Sequence, residues 1–272
     1  MTKNKTTKNE KQKIQDFWGA LYSSLYDKVD THITKKYLET GLINLENMFK
    51  YRSHMAVTEV PLNQLSGKKL LEIGSGAGAH SALFAKYGAI VTSVDITFQR
   101  AQSTHKKFIV MDKTAVGCQA IQGDAENLPF QENFFDFIYS NGVLHHTPDT
   151  KGAILEIYRL LKPGGRAVVM LYCKDSWHYW INMWFFVGIL RAKLFYGKNW
   201  LGPATEWGGS NKQTKNNPYT QCFTKREIKN IFRDFKLVRL QKPSFIFISS
   251  LSLGKYINCG KKNTMEHTRV ES

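Results

Sequence analysis

The spacing of apolar positions changes character along the chain. From Ile14 it is helical, through Phe17, Trp18, Leu21 and Leu25, which predicts an amphipathic helix. A second helical stretch runs from Leu42 to Val57 and is ended by Pro61. From Lys68 the pattern becomes short apolar runs separated by helical segments. The runs are Lys69–Ile73, Ala89–Asp95, Gly117–Gln122, Phe134–Ser140 and Arg166–Tyr172; the helical segments lie near Ala79–Lys86, Phe98–Lys107 and Asp149–Leu161. Strand–helix alternation at this spacing predicts a parallel sheet covered by helices on both faces. A helix at about Lys225–Asp234 and two β-like runs, Lys236–Gln241 and Phe245–Ser250, close the pattern.

Between Ser176 and Leu190 the chain carries no formal charge and is dense in Trp177, Tyr179, Trp180, Trp184, Phe185 and Phe186. The stretch is shorter than the roughly 20 residues of a membrane-spanning helix. Three roles suit it: a core helix, a lid over an apolar substrate, or a helix resting on a membrane surface with Arg191 and Lys193 at the headgroups. The division expected from these patterns is a tail at 1–13, a helical cap at 14–61, a main domain at 62–254 with an aromatic insertion at 175–222, and a C-terminal tail at 255–272.

The chemistry is concentrated after the first strand, where Leu70-Leu-Glu-Ile-Gly-Ser-Gly-Ala-Gly78 puts three glycines at alternate positions directly before a helix. Glycine lets the backbone turn tightly and approach a ligand, and the helix start offers free N–H groups. Alone, the loop is ambiguous, because Gly74-x-Gly76-x-x-Ala79 also fits a dinucleotide fingerprint. Asp95, ending the second strand, suits a ribose diol in either case. Further on come Gly123-Asp-Ala-Glu-Asn-Leu-Pro-Phe130, Phe134-Phe-Asp-Phe-Ile-Tyr-Ser-Asn-Gly-Val-Leu-His-His146 and Glu156-Ile-Tyr-Arg-Leu-Leu-Lys-Pro-Gly-Gly165.

With these four motifs in order, the chain from Lys68 to Met170 resembles the class I S-adenosylmethionine-dependent methyltransferases, in their ubiquinone-synthesis-like (methyltransferase type 11) branch. The likeness extends more faintly to Phe17-Trp18, Tyr51-Arg52 and Asn217-Pro-Tyr-Thr. It implies a doubly wound, Rossmann-like α/β fold. The sheet would be mixed and seven-stranded, mostly parallel with a C-terminal antiparallel hairpin and helices on both faces. It also implies S-adenosyl-L-methionine as cofactor. Glu72 and Gly74 would hold its methionine part, with Gly76 and Gly78 giving the backbone access. Asp95 would take the ribose, Ile96 would pack on the adenine, and Asp124 would accept from the adenine amino group with the Ala125 N–H facing the ring. Asn141 would line the reactive side. No metal is implied.

Methyl transfer from a sulfonium needs alignment and exclusion of water more than it needs a catalyst group. The His145-His146 pair, at the end of the fourth strand, is the candidate base where the acceptor carries a proton; structural or positioning roles suit both residues as well.

Composition adds a net charge of +16. Part of it sits in Lys3, Lys5, Lys8, Lys11 and Lys13, which predict a disordered basic tail. No apolar signal segment and no arginine-rich transit peptide is present near the start, and Cys118, Cys173, Cys222 and Cys259 form no C-x-x-C pair, so a cytoplasmic protein with reduced thiols is expected, possible contact with a membrane periphery through residues 177–193 aside. The expected acceptor is a small apolar or aromatic molecule: a natural product, a quinone-like compound, or a lipid or sugar intermediate. The basic balance keeps two alternatives open, a transfer RNA base methyltransferase and, more distantly, a non-catalytic cofactor-binding scaffold.

Overall fold

The structure is a computed structural model, and it describes residues 2–25, 30, 32–51, 60–175, 178–196, 200–202, 217–241 and 254–261. Five parallel strands form its centre: β1 (Lys69–Ile73), β2 (Ile90–Asp95), β3 (Gln119–Gln122), β4 (Phe135–Asn141) and β5 (Leu161–Tyr172). They lie in the order β3-β2-β1-β4-β5. β1 pairs with β2 on one side (Leu71 opposite Thr92) and with β4 on the other (Leu71 opposite Ile138). The chain therefore winds outward in both directions from β1, and the gap this opens at the carboxyl ends of β1 and β4 is where open α/β sheets take ligands.

Alternation along each strand builds two cores. Leu71, Ile73, Ile138 and Val169 face α5 (Thr150–Leu160) through Ala153, Ile154 and Ile157. Leu70, Phe137, Tyr139 and Val168 face the opposite way, onto Ala82–Ala85 of α3 (Ala79–Lys86) and Phe108 of α4 (Phe98–Met111). Strands buried on both faces read as continuous apolar runs, which is why they were legible in the sequence.

Two N-terminal helices flank this body, α1 (Thr2–Leu25) and α2 (Lys35–Tyr51). The second begins before the expected Leu42 and is described as far as Tyr51; residues 52–59, which hold the rest of the expected stretch, lie outside the described ones. The expected disordered tail is also corrected, because the helix that begins the chain runs unbroken from Thr2. Ile14, Phe17, Leu21 and Tyr22 bury one face of it, and once such a helix is nucleated, lysine-rich turns extend it at little cost. Its Lys11 also finds acidic partners on the main domain.

At the far side of β5 two further strands pair antiparallel, β7 (Gly254–Lys261) against β5 and β6 (Phe235–Gln241) against β7. The second of these runs was expected at Phe245–Ser250, which lies outside the described residues, and residues 254–261 had been assigned to a tail. α6 (Lys225–Ile231) precedes β6 and starts on a capping box between Thr224 and Glu227.

The aromatic stretch is a π-helix, His178–Leu190. Its wide turn brings Tyr179, Met183 and Gly188 to the inner side, and Tyr179 and Met183 pack with Met170, Tyr172, Leu201 and Cys222. The core-helix expectation fails for the rest: Trp180, Ile181, Trp184, Phe185, Phe186, Ile189 and Leu190 are exposed.

Candidate active site

A cavity of about 360 Å³ opens at the carboxyl ends of β1, β2 and β4. The glycine loop forms its floor. Gly74, Gly76 and Gly78 all have positive φ, at 79°, 54° and 80°. Their surroundings differ. A Cβ on Gly74 would lie 2.1 Å from Val143 Cγ2, and one on Gly78 would lie 2.6 Å from Thr104 Oγ1, so these two permit close packing of the loop against protein. A Cβ on Gly76 would meet only Arg100 Nη1, at 4.0 Å, and Gly76 is the glycine whose open side belongs to the cavity.

Asp95 is buried at the end of β2. Its carboxylate accepts from Gly76 N at 3.1 Å and from Thr97 N and Oγ1 at 3.0 Å each, which locks the glycine loop to the strand. Burial raises its pKa, and Arg100 foremost among the neighbours opposes the rise. Ile96, Asp124, Ala125 and Asn141 also line the cavity. The chamber matches S-adenosylmethionine in two respects: an open glycine beside a buried carboxylate suits a ribose with its chain, and Asp124 with the Ala125 backbone suits an amino-purine edge.

Of the remaining expected residues, only His146 lines the cavity with these. Glu72 is behind the loop, not on the cavity wall; it accepts a bond from Ser81 Oγ and lies 3.9 Å from His80 Nδ1. Burial pushes its pKa up to about 8. Gly78 faces Thr104. His145 is fully buried and stacks on Tyr172 with ring centroids 3.7 Å apart. Its pKa falls well below the ordinary value, through burial and then the neighbouring His146. Of the pair, only His146 lines the cavity. Its Nδ1 lies 3.0 Å from the Tyr219 carbonyl, 3.1 Å from Thr220 Oγ1 and 3.1 Å from Asn217 Nδ2. Burial brings its pKa down to about 4, so the ring is neutral at physiological pH instead of titrating there.

The cavity's roof comes from α1, which the sequence divided between a tail at 1–13 and a helical cap from Ile14, neither with site residues. Lys11, Ile14 and Trp18, one helical face, all line it. Lys11 Nζ is 2.5 Å from both Asp124 and Glu126. Burial works against its charge, but these two carboxylates outweigh it and hold its pKa above the ordinary value. Trp18 sits 4.9 Å from the Arg100 guanidinium and 5.1 Å from the His146 ring. Arg100 was also missed, because a single arginine on a helix carries no positional signal in the sequence.

Residues 71–169 match the methyltransferase domain family. Demethylmenaquinone methyltransferase of Geobacillus sp. (strain WCH70) is 23% identical over 241 residues, covering 86% of this chain and 99% of that protein. The enzyme of the same name from Streptomyces avermitilis is 32% identical over 110 residues, covering 40% of this chain; the chain spans under half of that relative, 45%. Among solved structures, magnesium protoporphyrin IX methyltransferase from Synechocystis PCC 6803 with bound SAH superposes with a TM-score of 0.51 at 16% identity, covering 83% of this chain and 85% of that one. With the four ordered motifs, the two-way sheet and the cavity at its switch point, residues 71–169 form a methyltransferase domain of the class I S-adenosylmethionine-dependent kind.

Proposed function

We propose that this protein transfers the methyl group of S-adenosylmethionine to a small apolar or aromatic acceptor of the quinone-like, natural-product or lipid-intermediate class. One observation carries the proposal. A single cavity joins the open glycine Gly76, the buried Asp95 and Asp124 to His146 and to the apolar Ile14, Trp18 and Val143. The bound cofactor supplies an electrophilic methyl on a sulfonium, and this chain's residues would do the rest. Asp95 would hold the ribose hydroxyls, and Asp124 and Ala125 the adenine edge between them and Ile96. Gly74 and Gly76 would border the methionine part, with Glu72 buttressing the loop through Ser81. Asn141 and Trp18 would close the reacting end and exclude water.

His146 is the residue we assign to the acceptor's proton. Its Nδ1 faces an acceptor, the Tyr219 carbonyl, and a donor, Asn217 Nδ2, so only one of these bonds forms at a time, and the first leaves the ring's lone pair on Nε2. Asn217 and Thr220 fix the ring's angle. A neutral imidazole with a low pKa orients a hydroxyl or activated C–H group and takes its proton as the methyl arrives. The demethylmenaquinone methyltransferases among the relatives favour a quinone-like acceptor. The proposal includes the seven-stranded sheet closed by an antiparallel β6–β7 pair, and a peripheral contact of the aromatic segment with a bilayer.

The net charge of +16 supports one competing acceptor, RNA. Incubating the protein with methyl-labelled cofactor and a fractionated cell extract separates the two. Label in the organic-soluble fraction supports the proposal, and label in the RNA fraction overturns it. His146→Ala should then lower turnover by about 10²-fold or more, whereas undiminished turnover removes the proton role.

A further inference from the structure

Eight of the fifteen large apolar side chains exposed among the described residues fall between Trp180 and Phe195. On the π-helix itself, Trp180 is 53% exposed, Phe185 45% and Leu190 61%, and Phe195 just beyond is 87% exposed. A monomer in water rarely shows so large an aromatic patch without a partner for it. The inner residues Tyr179 and Met183 anchor the helix to Met170 and Tyr172 of β5, so the outer face is held outward by the fold.

The charge around this face selects the partner. From Ser176 to Thr205 the sequence carries Arg191, Lys193 and Lys198 and no Asp or Glu. Arg191 is exposed at the end of the π-helix, its N–H bonded to the Phe186 carbonyl at 3.1 Å. A second copy of the chain would bring a like-charged surface against these cations, at a net charge of +16 per copy. An RNA strand is met by aromatics interleaved with basic residues, and here the thirteen residues of the π-helix carry none. No described helix is long and apolar enough to cross a membrane. An uncharged aromatic face bordered by cations is the arrangement that beds into the boundary between acyl chains and anionic headgroups, where Trp is favoured.

We infer that the outer face of His178–Leu190, through Trp180, Trp184, Phe185 and Leu190, docks on an anionic phospholipid bilayer with Arg191 at the headgroups. The inference rests on the peripheral-contact part of the proposed function and gives it a face, an orientation and a lipid charge. It would let an apolar acceptor pass from the bilayer to the enzyme without crossing water.

The test is sedimentation of the full chain with vesicles of phosphatidylcholine alone and of phosphatidylcholine with phosphatidylglycerol. The anionic vesicles should bind about tenfold more tightly, with the excess shrinking as salt rises. The triple variant Trp180→Ser/Trp184→Ser/Phe185→Ser should lose about tenfold or more of that binding while its affinity for S-adenosylmethionine in calorimetry stays at the wild-type value. Should the variant fold poorly, tryptophan quenching of the wild type by brominated lipids reports the same contact: quenching supports it and none overturns it. Equal binding to both vesicle types, or a variant that binds like the wild type, refutes the docking. A concentration-dependent dimer abolished by the variant shows that a second copy covers the face, and also refutes it. Intact cofactor binding and methyl transfer without vesicle binding would sink the docking alone, leaving the methyltransferase assignment in place.

Discussion

The three loop glycines have different neighbours, and this makes the site testable without knowing the acceptor. Gly74→Ala must place a methyl 2.1 Å from Val143 Cγ2 and 2.6 Å from Cγ1, in a residue held at φ 79°. The left-handed backbone costs an L-residue roughly 1–2 kcal/mol, and overpacking a dense core adds about 1–3 kcal/mol. The total should therefore be about 2–5 kcal/mol of folding stability. Gly76→Ala carries only the backbone cost, about 1–2 kcal/mol, because its nearest neighbour, Arg100 Nη1, is 4.0 Å away and flexible. Its methyl would instead enter the space assigned to the cofactor.

Urea denaturation and calorimetry with S-adenosylmethionine, run on both variants, should thus rank them oppositely. Gly74→Ala should lose more stability, and Gly76→Ala more affinity per unit of stability lost. The double variant Gly74→Ala/Val143→Ala isolates the overlap. Val143→Ala alone removes two partly buried methyl groups at a cost of no more than about 1.5 kcal/mol. Combined with Gly74→Ala it should recover about 1–3 kcal/mol relative to additivity. Two glycine variants of equal stability and equal affinity, or a double variant that is simply additive, would refute the assignment of Gly74 to packing and Gly76 to the ligand.

Asp95→Asn should weaken cofactor binding by about 1.5–3 kcal/mol, the worth of hydrogen bonds to a charged group; unchanged affinity in calorimetry would remove Asp95 from the ribose site. Glu72 carries a pH signature: its carboxyl titrates near 4.5 when exposed and at about 8 in the fold, chiefly through burial. Its favourable contribution is therefore complete only below about 4.5 and is lost as pH rises through 8, so Glu72→Gln should gain about 2–4 kcal/mol on the wild type between pH 5 and pH 9, and a pH-independent difference in denaturation would show that the carboxyl is solvated. Lys11→Met should cost no more than about 1 kcal/mol, because the ion pairs are partly exposed. It should nevertheless speed proteolytic cutting within α1, an effect that salt would mimic in the wild type, and identical digestion patterns would show that Lys11 does not fasten the roof.

What the sequence could and could not show follows from how each feature is encoded. The strands β1, β2, β4 and β5 were legible because burial on both faces forces continuous apolar runs, whereas β3, half-exposed at the sheet edge, was legible only from its place in the strand–helix alternation; the ligand end followed from the motifs at the carboxyl ends of the strands. Gly76, Asp95 and Asp124 were legible because they belong to contiguous motifs. Position relative to a cavity is not encoded that way. His145 and His146 are adjacent in sequence, yet the short 3-10 turn Leu144–His146 aims one ring at Tyr172 and the other at the cavity. Glu72 lies next to the loop, yet strand alternation turns it behind Gly74, toward Ser81. The larger omission was α1. Its lysines had the composition of a solvated tail, and only the long-range pairing of Lys11 with Asp124, 113 residues away, shows that this part of the helix meets the cavity. The same limit held for the aromatic stretch, where composition pointed equally to a core, a lid or a surface. The choice depended on which residues the fold covers: Tyr179 and Met183 pack with Met170 and Tyr172 of β5 and with Leu201 and Cys222. An apolar segment longer than the surface available to bury it must present its remainder outward, and here that remainder is bordered by cations with no acid from Ser176 to Thr205.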